Sequence, residues 1–179
     1  MVGAFLFDII ETVVVALALF VVIYLFAAQP HQVRGASMVP NFQNGEYILT
    51  DKVTYRFREP HRGDVIIFRA PKNQELDYIK RIIGLPNEQI KIEKGSIYIN
   101  NKRLEESYLP TGPIYAGTYL QEGQIINIPD HEYFVLGDNR NHSSDSREWG
   151  PVPQKDIIGK AFFRYWPMNQ IGLIHTPNY

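Results

Sequence analysis

The sequence predicts a mainly β fold, made of antiparallel sheets that follow one N-terminal transmembrane helix. A long apolar segment near the N-terminus contains no charged residue from Thr12 to Ala28. Beyond it, short runs rich in β-branched and aromatic residues alternate with turns that contain Gly, Pro or Asn. No amphipathic helical period is found after residue 29. These three observations together favour sheets over helices for the polar part of the chain.

Composition excludes several classes of protein. The 179 residues are enough for one sizeable domain, and a formal net charge of -1 argues against a nucleic-acid partner. The absence of cysteine excludes disulfides, a thiol nucleophile and a cysteine-ligated metal. The sequence has no HExxH motif, no P-loop and no dinucleotide fingerprint, and its five histidines are scattered. We therefore expect neither a metal ion nor a cofactor.

The apolar segment is interpreted as a retained membrane anchor over residues 9–28, after a short N-terminal tail of residues 1–8. As a helix, residues 9–28 would be ~30 Å long, which matches the hydrocarbon core of a bilayer. A cleaved signal peptide is the alternative, but it usually has a basic start and a shorter apolar run. No Lys or Arg precedes Arg34, so the charges do not indicate an orientation. The stretch 29–31 (QPH) is expected to end the helix.

The remainder, residues 29–179, is predicted to be one β domain with a small inserted lobe within residues 85–132. The turn Lys94-Gly95 between two alternating runs predicts a hairpin. The region 105–123, rich in Pro, Gly and Tyr, is predicted to be a loop. Predicted strands cover residues 46–53, 64–70, 78–83, 89–93, 96–100, 102–104, 124–128, 133–136 and 157–166.

A serine with small, uncharged neighbours follows the anchor, in the stretch 35–40 (GASMVP). Pro40 removes a backbone donor and stiffens the exit from this stretch. Such a segment is suited to presenting the Ser37 hydroxyl to a cleft. A surface turn without chemistry is the plainer interpretation of a lone serine near glycine.

Lys80 lies within an apolar strand. In an extended strand Tyr78 and Lys80 share one face, while Ile79 and Arg81 lie on the other. One of the two adjacent cations must then point towards the core. A cation at a sheet edge or on a solvated face is the alternative interpretation.

The segment 137–147 (GDNRNHSSDSR) is dense in hydrogen-bonding side chains and poor in apolar ones. If it is extended, Ser143, Asp145 and Arg147 fall on one face and form a donor, acceptor and cation series. A solvated loop that bonds to itself through its Asn, Asp and Ser side chains is the alternative.

Taken together, these segments resemble the type I signal peptidases, membrane-bound serine proteases that remove signal peptides from exported proteins. The stretches 35–40, 62–65 (RGDV), 78–84 (YIKRIIG) and 137–147 occur in the family's order behind one anchor, so the resemblance covers essentially the whole chain. The single span is similar to the Gram-positive and cyanobacterial type. The resemblance implies the signal-peptidase β fold and cleavage after small residues of Ala-x-Ala type. It also implies a cytoplasmic N-terminus and a catalytic domain on the extracytoplasmic face of the cell membrane. The expected partners are signal peptides of exported preproteins, the lipid bilayer and the export machinery.

The resemblance also assigns roles to individual residues. It makes Ser37 the nucleophile and Lys80 the general base of a Ser-Lys dyad that works through an acyl-enzyme. A lysine is a base only when neutral, so burial has to lower its pKa from the usual ~10.4. The resemblance further implies that Ser143 hydrogen-bonds the Lys80 amine, and that Asp145 and Arg147 form a supporting ion pair. Asp138 and Arg140 are expected to brace the same loop.

One position departs from the family pattern. Many members carry a serine two residues before the nucleophile, whose hydroxyl helps to form the oxyanion hole, and this chain has Gly35 there. The backbone N–H of Ser37 can still donate, and the second donor stays open. Apolar residues of Phe162–Trp166 are expected either to touch lipid or to lie in the core. The side chains expected to shape the substrate pocket are Val33, Met38, Tyr78 and Ile79.

Three other functions stay open on sequence alone. The chain could be a self-cleaving Ser/Lys protease of related fold, although the anchor and the segment 137–147 argue against this. It could use a Ser-His-Asp triad, for which only His142, near Asp145, lies in a motif. It could also be a membrane-tethered scaffold without activity, but an inactive relative would be expected to lack Ser37 or Lys80.

Overall fold

The computed structural model describes residues 2–177 and residue 179, and these form a mainly antiparallel β structure behind one long helix. The predicted fold class is therefore confirmed. The helices are α1 (Val2–Phe26) and the short α2 (Ser146–Trp149), with 3₁₀ turns at Thr54–Arg56, Gln154–Asp156 and Met168–Gln170. The strands are β1 (Ala28–Gln32), β2 (Tyr47–Asp51), β3 (Val65–Ala70), β4 (Asn73–Gly84), β5 (Gln89–Glu93), β6 (Ser96–Ile99), β7 (Lys102–Arg103), β8 (Ile125–Asn127), β9 (Glu132–Leu136), β10 (Val152–Pro153), β11 (Ile157–Trp166) and β12 (Gly172–Leu173).

Helix α1 is long and apolar enough to cross a membrane, with a mean hydropathy of 2.6 over Leu6–Tyr24 and none of that window buried. Its bounds differ from the predicted ones at both ends. The helix begins at Val2, so residues 2–8 of the predicted tail are helical, and Met1 lies outside the described residues. It ends at Phe26, before the stretch 29–31, because the chain already enters a strand at Ala28.

Strand β1 was not predicted, because Pro30 lies in its middle. Proline cannot donate to a β ladder, so it is tolerated mainly in edge strands. The structure places β1 at the end of the larger sheet, where β2 is its neighbour and Pro30 lies opposite Leu49. The position at the edge explains how this strand accommodates the proline.

Two sheets make up the β domain. The larger has the order β1-β2-β11-β3-β4-β9-β10, with β12 paired to β11. The smaller, of order β7-β6-β5-β8, lies between residues 89 and 127. The predicted hairpin is confirmed, since β5 and β6 are joined by Lys94 and Gly95, both with positive φ. Such a two-residue turn matches the right-handed twist of the paired strands.

The larger sheet curves so that its first strand approaches its fifth. In the order β1-β2-β11-β3-β4, three strands separate β1 from β4, which would hold them ~19 Å apart in a flat sheet. Yet His31 Nε2 of β1 lies 3.4 Å from Asp77 Oδ2 of β4. The curvature therefore brings the two strands together as opposite walls of a cleft.

The floor of this cleft is an apolar cluster contributed by both walls and by the strands between them. Ile67 of β3 lies opposite Ile79 of β4 and shares its face of the sheet. Ile48 of β2 lies opposite His31 in the same way. The buried members of the cluster are Val33, Met38, Phe42, Ile48, Val65, Ile67, Ile79 and Ala161.

Candidate active site

The serine segment lies in the connection between β1 and β2, and backbone hydrogen bonds fix its shape. Gly35 has a φ of 86°, a conformation that glycine adopts without strain. Its N–H donates to Asn44 Oδ1 over 2.8 Å. One turn later, the Val39 N–H donates to the Ala36 carbonyl over 3.2 Å. Ser37 is therefore presented on a defined turn, as the sequence predicted.

Lys80 of β4 reaches this turn. Its Nζ donates to Ser37 Oγ over 2.9 Å and to the Ile79 carbonyl over 3.0 Å. The residue is only 5% exposed. Burial lowers the pKa of Lys80 to about 8, although the nearby carboxylates of Asp145 and Asp138 oppose this shift. The amine is therefore close to the hydroxyl and is easily made neutral.

The neighbouring cation, Arg81, is buried as well, which the sequence reasoning did not anticipate for both residues. Its Nε and Nη2 donate to the two carboxylate oxygens of Asp138 over 2.8 and 2.7 Å. Because alternate side chains of a strand point to opposite faces, Arg81 points away from Lys80. The guanidinium is paired, whereas Lys80 makes no ion pair of this kind among the described residues.

The segment 137–147 supports the serine turn from the other side. The Asn139 N–H donates to the Ser37 carbonyl over 2.9 Å, and Asn139 Nδ2 donates to the Ala36 carbonyl over 3.0 Å. Gly137 packs so closely that an added Cβ would lie 2.4 Å from the Ser37 carbonyl oxygen. The sequence analysis gave Asn139 no role, although it lies within a segment singled out for its polar side chains.

Asp145 and Arg147 form a two-pronged buried ion pair, with Nε–Oδ1 and Nη2–Oδ2 distances of 2.8 Å. Asp145 Oδ2 also accepts from the Gly137 N–H over 3.1 Å. The segment is not extended as far as Arg147, because Asp145 caps helix α2 and Arg147 lies within that helix, so the condition for a shared face of Ser143, Asp145 and Arg147 is not met. The ion pair thus stabilises the start of helix α2, and its Asp145 member also fixes the backbone of Gly137.

The expected hydrogen bond between Ser143 and Lys80 is also wrong. Ser143 Oγ is buried and has no hydrogen-bond partner among the described residues. It lies instead against Gly137, where an added Cβ would come within 2.2 Å of it. The Lys80 amine donates instead to the Ser37 hydroxyl and to the Ile79 carbonyl.

Asp138 and Arg140 connect the segment to different neighbours. Asp138 binds Arg81, whereas Arg140 binds Glu106 with Nη1–Oε2 and Nη2–Oε1 distances of 2.6 and 2.5 Å. Arg140 Nε also donates to the Gly137 carbonyl over 2.9 Å. These residues therefore brace the segment, as expected, by tying it to strand β4 and to the loop after β7.

A cleft of about 260 Å³ opens beside Ser37 and Lys80. Three of the four predicted pocket residues, Val33, Tyr78 and Ile79, line it. Met38 does not. It is 1% exposed and packs in the apolar cluster beneath the cleft, because its side chain turns inward as Ser37 turns outward.

The cleft is also lined by a pair of residues that sequence reasoning missed. His31 and Asp77 approach to 3.4 Å across it, and His31 Nδ1 lies 2.8 Å from Thr50 Oγ1. The two residues are 46 positions apart in the sequence and meet only because the sheet curves. No local motif could have indicated their contact.

A Ser-His-Asp triad built on His142 and Asp145 lacks the contacts that it would need. The Asp145 carboxylate is taken up by Arg147 and by the Gly137 N–H. His142 is exposed, and its ring makes no hydrogen bond with the described residues. No group of three or more His, Asp or Glu side chains in the described part of the chain is arranged to hold a metal ion.

Comparison with known proteins identifies the family. The family model described as signal peptidase, peptidase S26, matches residues 6–166. The chain belongs to this signal peptidase family. The sequence-based resemblance is thus confirmed, and so is the enzyme class that it implies, a serine-type signal peptidase I.

Curated members of the signal peptidase family align over most of this chain. A probable signal peptidase I-2 of Synechocystis is 38% identical, and the match covers 92% of this chain and 75% of the relative. Signal peptidase IB of Staphylococcus aureus is 33% identical, with coverage of 91% and 92%. A crystal structure of a signal peptidase I from Enterococcus faecalis is 33% identical, with a TM-score of 0.49 over 57% of this chain and 97% of that one.

Proposed function

We propose that this protein is a membrane-bound endopeptidase that removes N-terminal signal peptides from exported preproteins, with Ser37 as nucleophile and Lys80 as general base. The observation that carries the proposal is the 2.9 Å contact between the buried Lys80 amine and Ser37 Oγ. Family membership supports the activity, and the geometry supports the assignment of roles. Asp145, Arg147 and Ser143 are supporting residues that act through the segment around Gly137.

The proposed reaction starts from neutral Lys80. The amine takes the proton of the Ser37 hydroxyl as Oγ attacks the scissile carbonyl carbon. The resulting ammonium gives a proton to the leaving amine, and the C–N bond breaks to leave an ester on Ser37. Water, deprotonated by Lys80, then attacks the ester, and Lys80 returns the proton to Ser37 Oγ as the C–O bond breaks. The signal peptide leaves with a C-terminal carboxyl group, which ionises in water.

The developing oxyanion requires preorganised donors. The Ser37 N–H is one candidate. Gly35 supplies no side chain, and its own N–H is engaged by Asn44. The second donor is therefore a backbone group near the turn or a water molecule.

The substrate is proposed to bind as an extended strand along β4. Strand β9 pairs with β4 only between Arg81 and Gly84, so the backbone before Arg81 has no partner strand on that side in the described residues. An extended peptide can add to such an edge by main-chain hydrogen bonds. Small side chains, as in an Ala-x-Ala site, suit the short apolar cleft next to Val33 and Ile79.

Helix α1 is proposed to anchor the enzyme with its N-terminus in the cytoplasm and the β domain outside. Only eleven positions separate the helix end at Phe26 from Ser37, so the site stays near the membrane surface. Exposed apolar residues close to Trp166 are proposed to rest on lipid, and the family resemblance adds an association with the export machinery. Trp166, Met168 and Leu173 are 50%, 73% and 65% exposed.

The test is cleavage of a preprotein with an Ala-x-Ala site by the wild type, Ser37→Ala and Lys80→Ala in detergent micelles. Both variants should lose activity by at least about 10³-fold while keeping the wild-type circular dichroism spectrum. Activity that survives Lys80→Ala would assign the base elsewhere, and His142→Ala would then be compared. A folded wild type that cleaves none of several preproteins would contradict the proposed activity.

A further inference from the structure

A second groove lies on the other side of the serine turn from the cleft that holds Lys80. Its volume is about 560 Å³, more than twice the 260 Å³ of that cleft. Its inner wall includes Val39 and Pro40, which directly follow the serine turn, together with Asn139 and Asn141. Its outer wall is the irregular segment 103–114, which connects β7 to the rest of the inserted sheet. Residues 105–114 of this wall fall within the region 105–123 that was predicted to be a loop.

The outer wall is fixed to the same residues that support Ser37. Glu106 of the outer wall pairs with Arg140, and these side chains are only 9% and 7% exposed. Arg140 Nη2 also donates to the Tyr108 hydroxyl over 3.3 Å, which adds a second attachment. Arg140 in turn donates to the Gly137 carbonyl. The width of the groove is thus set by a buried ion pair and not by a free loop.

A substrate bound for cleavage must extend in two directions from Ser37. The cleft beside Lys80 is lined by Ser37, Val33 and Ile79, so it can receive the residues on one side of the scissile bond. The second groove begins at Val39 and Pro40, two and three positions beyond Ser37, so the residues on the other side of the bond can continue into it. At ~3.3 Å per extended residue, a few residues beyond the bond suffice to enter it.

We propose that this groove binds the first residues downstream of the scissile bond, which become the N-terminus of the mature protein. This inference rests on the proposed function. It names a second part of the substrate that the enzyme recognises, in addition to the small residues upstream of the bond.

The chemistry of the walls defines what the groove accepts. Glu106 and Arg140 neutralise each other at its base, and Asp138 is neutralised by Arg81. The other charged residues that line it, Arg103 and Glu105, are exposed and of opposite sign. The rest of the lining is apolar or uncharged, with amides from Asn139 and Asn141 that can bond to a peptide backbone. The groove therefore suits extended main chain with varied side chains and does not select one charge.

The experiment compares two peptides with the same Ala-x-Ala upstream segment. The short peptide has one amidated residue after the scissile bond, and the long peptide has six. With the full-length wild type in detergent micelles, kcat/KM should be about tenfold higher for the long peptide, since remote contacts accelerate cleavage at the bond. The ratio of the two values reports on the groove independently of the dyad.

Two variants fill the groove. An added Cβ at Gly112 meets nothing within 4 Å, so Gly112→Trp can be accommodated, and Ser107→Trp places a second ring in the exposed part of the lining. Each variant should reduce the ratio of kcat/KM for the long peptide to kcat/KM for the short peptide from about tenfold to below about threefold. Gln121→Trp is the matched control, because Gln121 is exposed and lies outside the groove, and it should keep the wild-type ratio.

The outcomes separate the two proposals. Three outcomes would contradict substrate binding in the groove without affecting the proposed Ser37–Lys80 dyad. They are equal cleavage of both peptides by the wild type, an unchanged kcat/KM ratio in both groove variants, and an equal reduction of that ratio in Gln121→Trp. A wild type that cleaves neither peptide would overturn the proposed function and the groove with it. The Ser37→Ala variant serves as the inactive control in every cleavage measurement.

Discussion

At the scale of single residues, Lys80 combines two opposed requirements. It must be buried to become a base, and burial of a charged amine is unfavourable. The carboxylates of Asp145 and Asp138 reduce that cost without removing it, since the pKa still falls to about 8. The pKa thus lies where a lysine can be neutral for a substantial part of the time near neutral pH.

The first prediction concerns the pH dependence of cleavage. If Lys80 is the general base, as proposed, only its neutral form accepts the Ser37 proton, so kcat/KM should rise with pH through an inflection near pH 8 and then level off. Initial rates at low substrate concentration from pH 6 to 10 test this. An inflection near pH 6.5 that disappears in His142→Ala would instead indicate a histidine base.

The second prediction concerns stability. Lys80 has a pKa of about 8 when folded and 10.5 as its ordinary value, so between these pH values the unfolded chain binds more protons. The contribution of Lys80 to the free energy of unfolding should therefore rise by about 3 kcal/mol from pH 8 to 10.5. Buried tyrosines such as Tyr108 and Tyr133, whose pKa is raised by burial, lower stability in the upper part of this range, so the rise is read from the difference between the wild type and Lys80→Met. Urea unfolding of Lys80→Met should show no such rise, because the variant has no amine to titrate. A rise of equal size in that variant would assign the effect to other groups.

The third prediction concerns Gly137. A Cβ there would lie 2.2 Å from Ser143 Oγ and 2.4 Å from the Ser37 carbonyl, and the latter contact is with backbone. Gly137→Ala should lower kcat about 10²-fold by moving the serine turn, and should destabilise the fold by about 1–3 kcal/mol. Gly172→Ala is the control, since a Cβ at that position meets nothing within 4 Å. Normal cleavage by Gly137→Ala would show that the turn is more adaptable than its packing indicates.

At the scale of elements, the short helix α2 connects the inserted lobe to the serine turn. Asp145 caps the helix, pairs with Arg147 and holds the Gly137 N–H. Arg147 Nη1 also donates to the Tyr115 carbonyl over 3.0 Å, which attaches the long loop of the inserted lobe. The buried carboxylate of Asp145 therefore holds together helix α2, Gly137 and, through Arg147, the loop of the inserted lobe.

The fourth prediction follows from this arrangement. Asp145→Asn leaves the Arg147 guanidinium buried without its counter-charge, which should cost about 3 kcal/mol and lower kcat. Chemical denaturation and peptide cleavage measure the two effects. Asp130→Asn is the matched control, because Asp130 belongs to an exposed pair with His131 and should change stability by less than about 1 kcal/mol. Equal effects of both substitutions would contradict the role given to α2.

At the scale of the whole molecule, helix α1 and the β domain are nearly independent in packing. The described apolar side chains of α1 are exposed, Phe7 and Phe20 by 68% and 63%, so they contribute little to the core of the β domain. The link between the two parts is short, since the Lys52 N–H already donates to the Ala27 carbonyl over 2.9 Å. A membrane is the environment that would cover the helix.

The fifth prediction is that a chain starting at Ala27 keeps the β fold. Its midpoint of thermal unfolding should stay within about 5 °C of that of the full chain in detergent, because no buried apolar surface of the β domain is lost. Sedimentation with lipid vesicles should fall strongly, while cleavage of a soluble peptide persists. A truncated chain that fails to fold would show that α1 stabilises the domain through contacts absent from the structure.

The fold class, the candidate membrane-spanning helix and most strands could be predicted from the sequence, because these depend on local hydrophobic patterns. The turn at Lys94 and Gly95 and the strand Ile157–Trp166 were predicted with their observed bounds. The family, and with it the choice of Ser37 and Lys80, followed from short ordered motifs. Residues such as Asn139, which act through their backbone contacts, carried no signal of that role.

The assembly of the site depends on contacts that appear only in the folded chain. The curvature of the sheet brings β1 against β4, and this creates the cleft and the contact between His31 and Asp77. The start of α2 at Asp145 ends any extended conformation of the segment 137–147 before Arg147, and Ser143 Oγ has no hydrogen-bond partner among the described residues. Such features depend on contacts between residues far apart in the chain, so no local pattern of residue types determines them.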